Sequence, residues 1–497
     1  MFNRLIAGVK GVMVKMGLLR TLQDAKDHKR ISINNEEYNR IAMWKELYKG
    51  KYDGWHNLTY KHNGETIRRE MLSLGMPKVT ANYLAKLIFN EKAQISIDDE
   101  SADTFVQNTL SDNGFYKNFK RYLESCMAMG GMAMKVYHDG RGNVKIAYAV
   151  ADAFLPISSD SEHIDEGVFI NKFRKNGKCY TLLEWNEWAD NKYVITNELY
   201  MADNSNEIGV KVPLELLFKD LQPKMEFTSV TRPFFVYLKP NIANNKDETS
   251  PLGLSVYANA LDTLKFLDTT FDAYYQEIVL GKKRVMVPIN MTKPTKGVDG
   301  SHKQVFDTKD EVFHVYDPKT MENEGNVVKD ISVDIRAEAF IASLNAQLRI
   351  YSMQIGLSPG TFTFDEQGLK TATEVVSEKS DTYQTKNDHS LLVEEALKEL
   401  IISILEVGKL IGAYNGEIVD PSTITIDFDD SIAQDEDTTI NRWTNAKNQG
   451  MVPTTIAIQR AFGITEEQAK KWFEMIQAEK KLSATQNDMS GIFGAQE

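Results

Sequence analysis

The sequence predicts an α+β chain of several domains, and three observations carry that prediction. Apolar residues recur at three-to-four spacing through most of the first 130 residues, then switch to period two between Met132 and Val212. From Ser250 to Ile355, two long amphipathic helical segments bracket a polar, strand-like insert. A third long helix follows a Gly/Pro/Thr loop. At 497 residues the chain is too long for one compact core, and two to four domains are expected.

The N-terminal residues alternate apolar positions with Arg4, Lys10 and Lys15. These charges interrupt any signal-peptide core and predict an amphipathic arm instead. Asn34-Asn35-Glu36-Glu37 opens a helix with an Asx cap and two acids on the favourable end of its dipole. Tyr38, Ile41, Ala42, Leu47 and Tyr48 form its stripe. Met76-Pro77 opens a second helix whose apolar face is Val79, Tyr83, Leu84, Leu87 and Ile88. A third is expected over 103–110, and a fourth from Phe115 to Met129, stopped by Gly130-Gly131.

Period two then takes over. Met132–Tyr137, a Gly/Asn/Asp turn and Val144–Tyr148 read as a hairpin. Further strands are expected at Gly167–Arg174, Lys178–Trp188, Tyr193–Met201 and Ile208–Val212, with Asn176-Gly177 a strong hairpin turn. Trp185 and Trp188 read as sheet packing. Pro233–Pro240 is extended, and Asn241–Ser250 is a polar loop and a candidate boundary.

Leu254, Tyr257, Leu261, Leu264, Phe271, Tyr275 and Ile278 keep helical spacing over roughly 40 Å, with Asp268 interrupting the stripe. Asp262, Lys265, Asp272 and Glu277 fall on the opposite side, and Gly281 ends the helix. Arg284–Pro288, Gln304–Phe306 and Val312–Tyr316 are short strands in the insert. Lys282, Lys283 and Arg284 form a basic cluster that suits a solvated strand edge. Helix returns from Ala337 to Ile355 and stops at Gly356-Leu-Ser-Pro359-Gly360. Thr361–Lys370 is polar and small. The helix after it, about 372–411, is polar in its first half and apolar in its second, at Leu391, Leu392, Ala396, Leu397, Leu400, Ile401, Ile404 and Leu405. Thr423–Phe428 is a strand, 438–481 is helical with a break at Val452-Pro453, and 482–497 is expected to fray.

Composition restricts function. The chain carries 70 acidic and 58 basic residues, a net charge of -12. It lacks the basic bias of a protein that grips nucleic acid by displacing counterions. Cys126 and Cys179 have no Cys or His at metal spacing, and no apolar run is long enough to span a membrane. Gly360 and Gly368-Leu-Lys-Thr371 miss the phosphate-loop spacing. His56 and His62 have no acidic or metal-ligand partner at useful spacing. Asp427, Asp429, Asp430, Asp435, Glu436 and Asp437 form an acidic run without the glycine and final glutamate of a calcium loop. It reads as a solvated face with a helix cap, or alternatively as the metal site of a DNA-processing enzyme of unfamiliar type. No catalytic motif and no cofactor is expected.

Several motifs, in this order and at these distances, nonetheless form a pattern. They are Tyr52-Asp-Gly-Trp55, the 72–89 helix ending in Phe89-Asn-Glu91, and Leu183-Glu-Trp185. Pro251-Leu-Gly253 as a helix start, Gly368-Leu-Lys-Thr-Ala-Thr-Glu374 and Phe428-Asp-Asp-Ser431 complete it. With them the chain resembles, over nearly its whole length, the portal proteins of tailed double-stranded DNA bacteriophages, the SPP1-like branch and especially its Listeria-phage group. The resemblance implies a portal-type multidomain subunit. Residues 1–250 would be the wing, 251–281 and 333–356 the two stem helices, and 282–332 the clip. Residues 357–371 would be the tunnel loop, 372–412 the tunnel helix, 413–429 a strand returning to the wing, and 430–497 the helical crown and tail. It implies a self-assembled ring of about twelve subunits at a capsid vertex, assembled in the host cytoplasm. Double-stranded DNA would pass through the ring. Scaffold and major capsid proteins, terminase and later a head-tail adaptor would be its partners. The DNA-facing loop residues would be Thr361, Thr363, Asp365, Glu366, Gln367, Gly368 and Lys370, and Lys282, Lys283 and Arg284 would dock partners at the clip.

Overall fold

The computed structural model describes residues 35–478 except 63, 91–92, 161–162, 206, 282–284, 289–292, 297–301, 306–312, 317–328, 331–333, 365–379, 429–435 and 467. In the strands between 285 and 330, and at 35, 62 and 436–439, only the backbone is described. The expected N-terminal arm, most of the acidic run and the C-terminal tail therefore lie outside the described residues. The chain packs as two compact units: residues up to 366 together with 384–427, and 367–383 with 428 onward.

The first unit opens with α1 (Asn35–Tyr48) and the four-residue α2 (Asp53–His56). The buried face of α1 is Tyr38, Ile41, Trp44 and Leu47. Trp44 completes this face while Ala42 and Tyr48 are half-buried, and Tyr257 of a later segment donates its hydroxyl to Trp44 O (2.8 Å). A hairpin the periodicity did not show follows, β1 (Asn57–His62) paired antiparallel with β2 (Glu65–Glu70). Its side chains are mostly exposed, so no apolar alternation marks it.

α3 (Met76–Ile88) starts with Pro77 in its first turn, where a missing N–H costs nothing. It buries Leu84, Leu87 and Ile88, but Val79 is exposed, since the core lies nearer the Thr80–Ala81 side. After β3 (Gln94–Ile97), α4 (Glu100–Asp112) is capped by Asp99, whose carboxylate accepts from Ala102 N (2.7 Å). α5 (Phe115–Met129) ends, as the glycine pair predicts, at Gly130 in the left-handed region (φ 83°). Phe89, Phe115 and Phe119 pack edge-on and stacked at 4.7–6.4 Å between centroids beneath it.

β4 (Met132–His138) and β5 (Val144–Val150) form the expected hairpin, and β12 (Phe235–Leu238) joins the other edge of β4. A larger antiparallel meander contains β6 (Phe154–Ser159), β7 (Ile164–Lys175), β8 (Lys178–Ala189) and β9 (Lys192–Ala202) in that spatial order. Asn176 (φ 50°) and Gly177 (φ 79°) make the turn between β7 and β8, both left-handed as a two-residue hairpin demands. The outer edge of β9 is shared by β10 (Val210–Val212) and β11 (Lys224–Phe227). β6 and β11 were not visible as alternation. Phe154, Phe169 and Phe235 pack at 5.1–5.6 Å, and Trp185 is fully buried.

The long helix expected from Leu254 begins only at Leu261: α6 spans Leu261–Leu280. Residues 254–258 are buried and non-helical instead, with a turn starting at Val256. A Cβ on Gly253 would lie 2.5 Å from Gly130 O, and one on Gly130 would lie 2.6 Å from Gly253 O. The two backbones touch, and Val256 N–H donates to Met127 O (3.0 Å), spending the donor that a helix would need. Gly281 N–H closes α6 onto Glu277 O (2.7 Å).

Short strands follow: β13 (Val285–Pro288), β14 (Lys293–Lys296), β15 (His302–Val305), β16 (Phe313–Tyr316) and β17 (Lys329–Asp330). β13 sits between a parallel β16 and an antiparallel β17, and β14 pairs β15. α7 (Ala337–Gln354) then returns beside α6. α8 (Ser380–Leu410) is the described part of the third long helix, and β18 (Ile424–Asp427) pairs antiparallel with β3.

The second unit contains α9 (Glu436–Asn448) and α10 (Thr454–Phe462), separated at Pro453. Helix resumes through 468–478. Thr465 and Gln468 form a reciprocal capping box there (3.2 and 3.3 Å).

Candidate functional site

α6 and α7 meet through a short series of mixed contacts. Gln347 donates to Thr270 Oγ1 (2.9 Å), the Tyr274 and Phe340 rings stack at 5.1 Å, and Arg336 donates twice to Glu277 (2.8 and 2.8 Å). Arg336 holds the Glu277 carboxyl below the usual carboxylate range. Leu344, Leu348, Tyr351 and Ile355 are the buried face of α7, as the spacing predicts.

The outward faces mix charged residues, among them Asp262, Lys265 and Arg349, with large apolar ones. Phe266 is 57% exposed and Leu280 59% on α6; Ile350 is 52% and Met353 64% exposed on α7. Tyr275, Ile278 and Ile335 are also exposed. Beside α6, the hairpin β1–β2 and residues 334–336 enclose an open groove of about 660 Å³, lined by Trp55, Leu58, Met71, Ala273, Leu280 and Ile335 among others. Arg69, Lys265, Asp272, Glu277, Asp334 and Arg336 line the same groove.

One acid on α6 does not lie where the helical pattern put it, and a second lies in the apolar stripe itself. Asp262 and Lys265 are exposed as expected, but Asp272 is buried. Arg69 donates to both its oxygens (2.8 and 2.6 Å) and Leu72 N–H to one of them (3.1 Å). The Arg69 fork is the main reason its carboxyl sits below the ordinary aspartate value. Asp268, the interruption in the stripe, is buried too. It accepts from Leu74 N–H (2.7 Å), Ser73 Oγ (3.2 Å) and His56 Nε2 (3.0 Å). His56 Nδ1 lies 2.8 Å from Tyr52 N and 3.1 Å from Tyr52 O, and its Nε2 is also 3.1 Å from Trp55 Nε1. His56 therefore has an acidic partner that sequence spacing cannot reveal, because it comes from a distant element.

The segment after α7 starts with Gly356 in the left-handed region (φ 75°). Thr361 donates to Ser358 O (2.7 Å), and Asn345 Oδ1 accepts from Phe364 N–H (2.9 Å) and Thr363 Oγ1 (3.5 Å). Phe362 lies against Tyr83 and Tyr351 (5.7 and 6.2 Å). The first residues of this loop are thus fastened to α7, and Phe364 is exposed. Asp365, Glu366, Gln367, Gly368 and Lys370 lie outside the described residues, as do Lys282, Lys283 and Arg284.

The first half of α8 is polar in sequence yet partly buried, at Thr382, Lys386 and His389. Asn241 N–H donates to His389 Nδ1 (3.0 Å), Asn241 Nδ2 donates to Asp388 O (2.8 Å), and Thr385 Oγ1 donates to Gly356 O. Burial pushes the His389 pKa down to about 4. The second half buries Ala396, Leu397, Leu400, Ile401, Ile404 and Leu405, but Leu391 is exposed. Of the acidic run, Asp427 ends β18, and the side chains of the other five lie outside the described residues.

Among the described residues, no three His, Cys, Asp or Glu side chains are grouped to hold a metal ion. No described helix is long and apolar enough to cross a membrane. A family model described as phage portal protein, SPP1 Gp6-like, matches residues 27–482. No curated protein matches the chain.

Proposed function

From the premise that this chain belongs to the SPP1 Gp6-like phage portal protein family, we propose that α6 and α7 are its stem, the helices that line up around the ring. Portal function follows from membership over nearly the full chain. The family is structural in kind, and it implies an oligomeric ring at the capsid vertex with DNA, capsid and terminase as partners. The finer assignments are ours. Residues 1–250 act as wing, 282–332 as clip, 357–371 as tunnel loop, α8 as tunnel helix and 430–497 as crown.

In this reading about twelve copies close a ring in the host cytoplasm on scaffold and major capsid proteins. DNA passes Thr361, Thr363, Asp365, Glu366, Gln367, Gly368 and Lys370. Terminase, then a head-tail adaptor, docks near Lys282, Lys283 and Arg284. The chain performs no catalysis of its own, and terminase supplies the energy.

The observation that carries the stem assignment is the pair of exposed apolar helix faces, with Phe266 and Leu280 on one helix and Ile350 and Met353 on the other. Head-to-tail contacts between two different faces generate rings when the rotation closes. The acidic balance of -12 supports a conduit rather than a clamp. Each cation on phosphate adds affinity and slows sliding, whereas an acidic wall does not hold the polyanion.

Native mass and imaging of the purified chain test the reading. Closed rings of about twelve subunits, with a hole admitting duplex DNA, are expected. A chain that stays monomeric even with its scaffold protein present would overturn it.

A further inference from the structure

The structure assigns to Asp268 and Asp272 a positioning role: together they clasp the segment 56–74, with its hairpin β1–β2, so that hairpin and α6 move as one body. This rests on the stem reading only for its purpose, which is to pass a displacement of the stem into the wing. The clasp itself stands on geometry.

The two carboxylates are four residues apart and so lie one helical turn above each other on α6. Both are buried. Among the described residues, their side-chain bonds run to one stretch of chain: Asp268 takes His56, Ser73 and Leu74, and Asp272 takes Arg69 and Leu72. The stretch begins at the end of α2 and returns through β2, so both feet of the hairpin are held. The hairpin's own side chains are largely exposed; at its base Met71 is buried, with its Sδ 3.9 Å from Thr269 Oγ1, and Lys51 pairs with Glu70 (3.0 Å).

A buried carboxylate with several charge-assisted donors resists sliding in a way an apolar contact does not. Any shift leaves a buried charge unpaired. Below the clasp, α6 changes character. Up to Asp272 one side is buried; from Tyr275 onward Ile278, Val279 and Leu280 are all exposed. Beyond the clasp, the described bonds of α6 run to α7 and the residue before it, through Tyr274–Phe340 and Glu277–Arg336. Among the described residues, displacement of the projecting end can pass to α7 and to the clasped hairpin.

Hydrogen exchange on the full chain tests this. Leu72 and Leu74 each donate their amide directly to a carboxylate, so they report on each half of the clasp. Asp272→Asn should speed exchange at Leu72, and Asp268→Asn at Leu74, by roughly ten-fold or more. The double variant should add 65–70, while amides of α7 and of 393–405 keep their rates. His56→Gln, which retains a donor, should give a smaller rise at Leu74 alone. Asp262→Asn, an exposed acid on the same helix, should change nothing. Unchanged exchange at 65–74 in the variants would overturn the clasp, and so would an equal rise throughout α7 and α8, which would mark general loosening. If the double variant does not fold, the single variants decide. Ring mass is read separately: rings that fail to form in the unaltered chain sink the portal-stem reading and leave the exchange result standing.

Discussion

The sheet-bearing body and the α6–α7 hairpin are held together by different means. In the body, α5 and the strands bury whole rings, with Phe89, Phe115 and Phe119 in one cluster and Phe154, Phe169 and Phe235 in another. Each fully buried ring contributes about 1.5–3 kcal/mol through apolar burial, without directional demands. The long helices bury Leu264, Leu267, Leu344, Leu348 and Tyr351 as well, and add directional polar bonds: Gln347 to Thr270, Arg336 to Glu277, Arg69 to Asp272, and His389 to the Asn241 backbone. Their outward faces keep Phe266, Ile350 and Met353 in water. The body satisfies its own apolar surface. The hairpin adds polar bonds and leaves part of its apolar surface exposed, which suits the stem role proposed for it.

Substitutions in the two regions should therefore fail differently. The largest loss belongs to the body: Phe119→Ala empties a fully buried site and should cost about 3–5 kcal/mol, read as a fall in the denaturant midpoint. A loss below about 1 kcal/mol would break the contrast.

The polar fastenings should instead respond to pH. His389 is held neutral when folded, with its pKa near 4 against an ordinary 6.5. Between those values the unfolded chain binds the extra proton, so stability falls as pH drops through that window, by up to about 3 kcal/mol. Melting from pH 7 to 4.5 should show the slope, and His389→Asn should flatten it. The depressed Asp272 carboxyl adds stability that is present above the ordinary aspartate value and is lost only at lower pH, as the folded group protonates. The two effects are therefore separable along one titration.

The smallest effect on stability should accompany the largest effect on assembly. Ile350→Glu with Met353→Glu lies on solvent-facing positions and should move the melting free energy of the isolated chain by no more than about 0.5 kcal/mol. Ring formation, followed by native mass, should be lost. Intact rings in that variant would show that the outward face of α7 is not buried between subunits.

Much of the fold was legible because its signals are local. Pro77 at a helix start, Gly130 and Gly281 at helix ends, and Asn176-Gly177 between strands each act through the backbone of their own few residues. What stayed hidden was β1–β2, whose exposed faces carry no alternation, and β3, whose partner β18 lies at the other end of the chain. The start of α6 was misplaced because Gly253 and Gly130 touch, a contact between distant segments that overrides an apolar spacing compatible with helix.

The sequence by itself determined the periods, the caps, the turns and the acidic balance, and through its ordered motifs the family. Tertiary structure alone decided which polar residues are inside. Asp272 reads as a solvent-facing acid and Asp268 as a flaw in an apolar stripe, and His56 reads as isolated. All three are buried because donors from 56–74 arrive to pair with the acids. Helical periodicity records which face of a segment is apolar. It holds no record of a distant amide or guanidinium, and a buried charge is stable only when that partner is present.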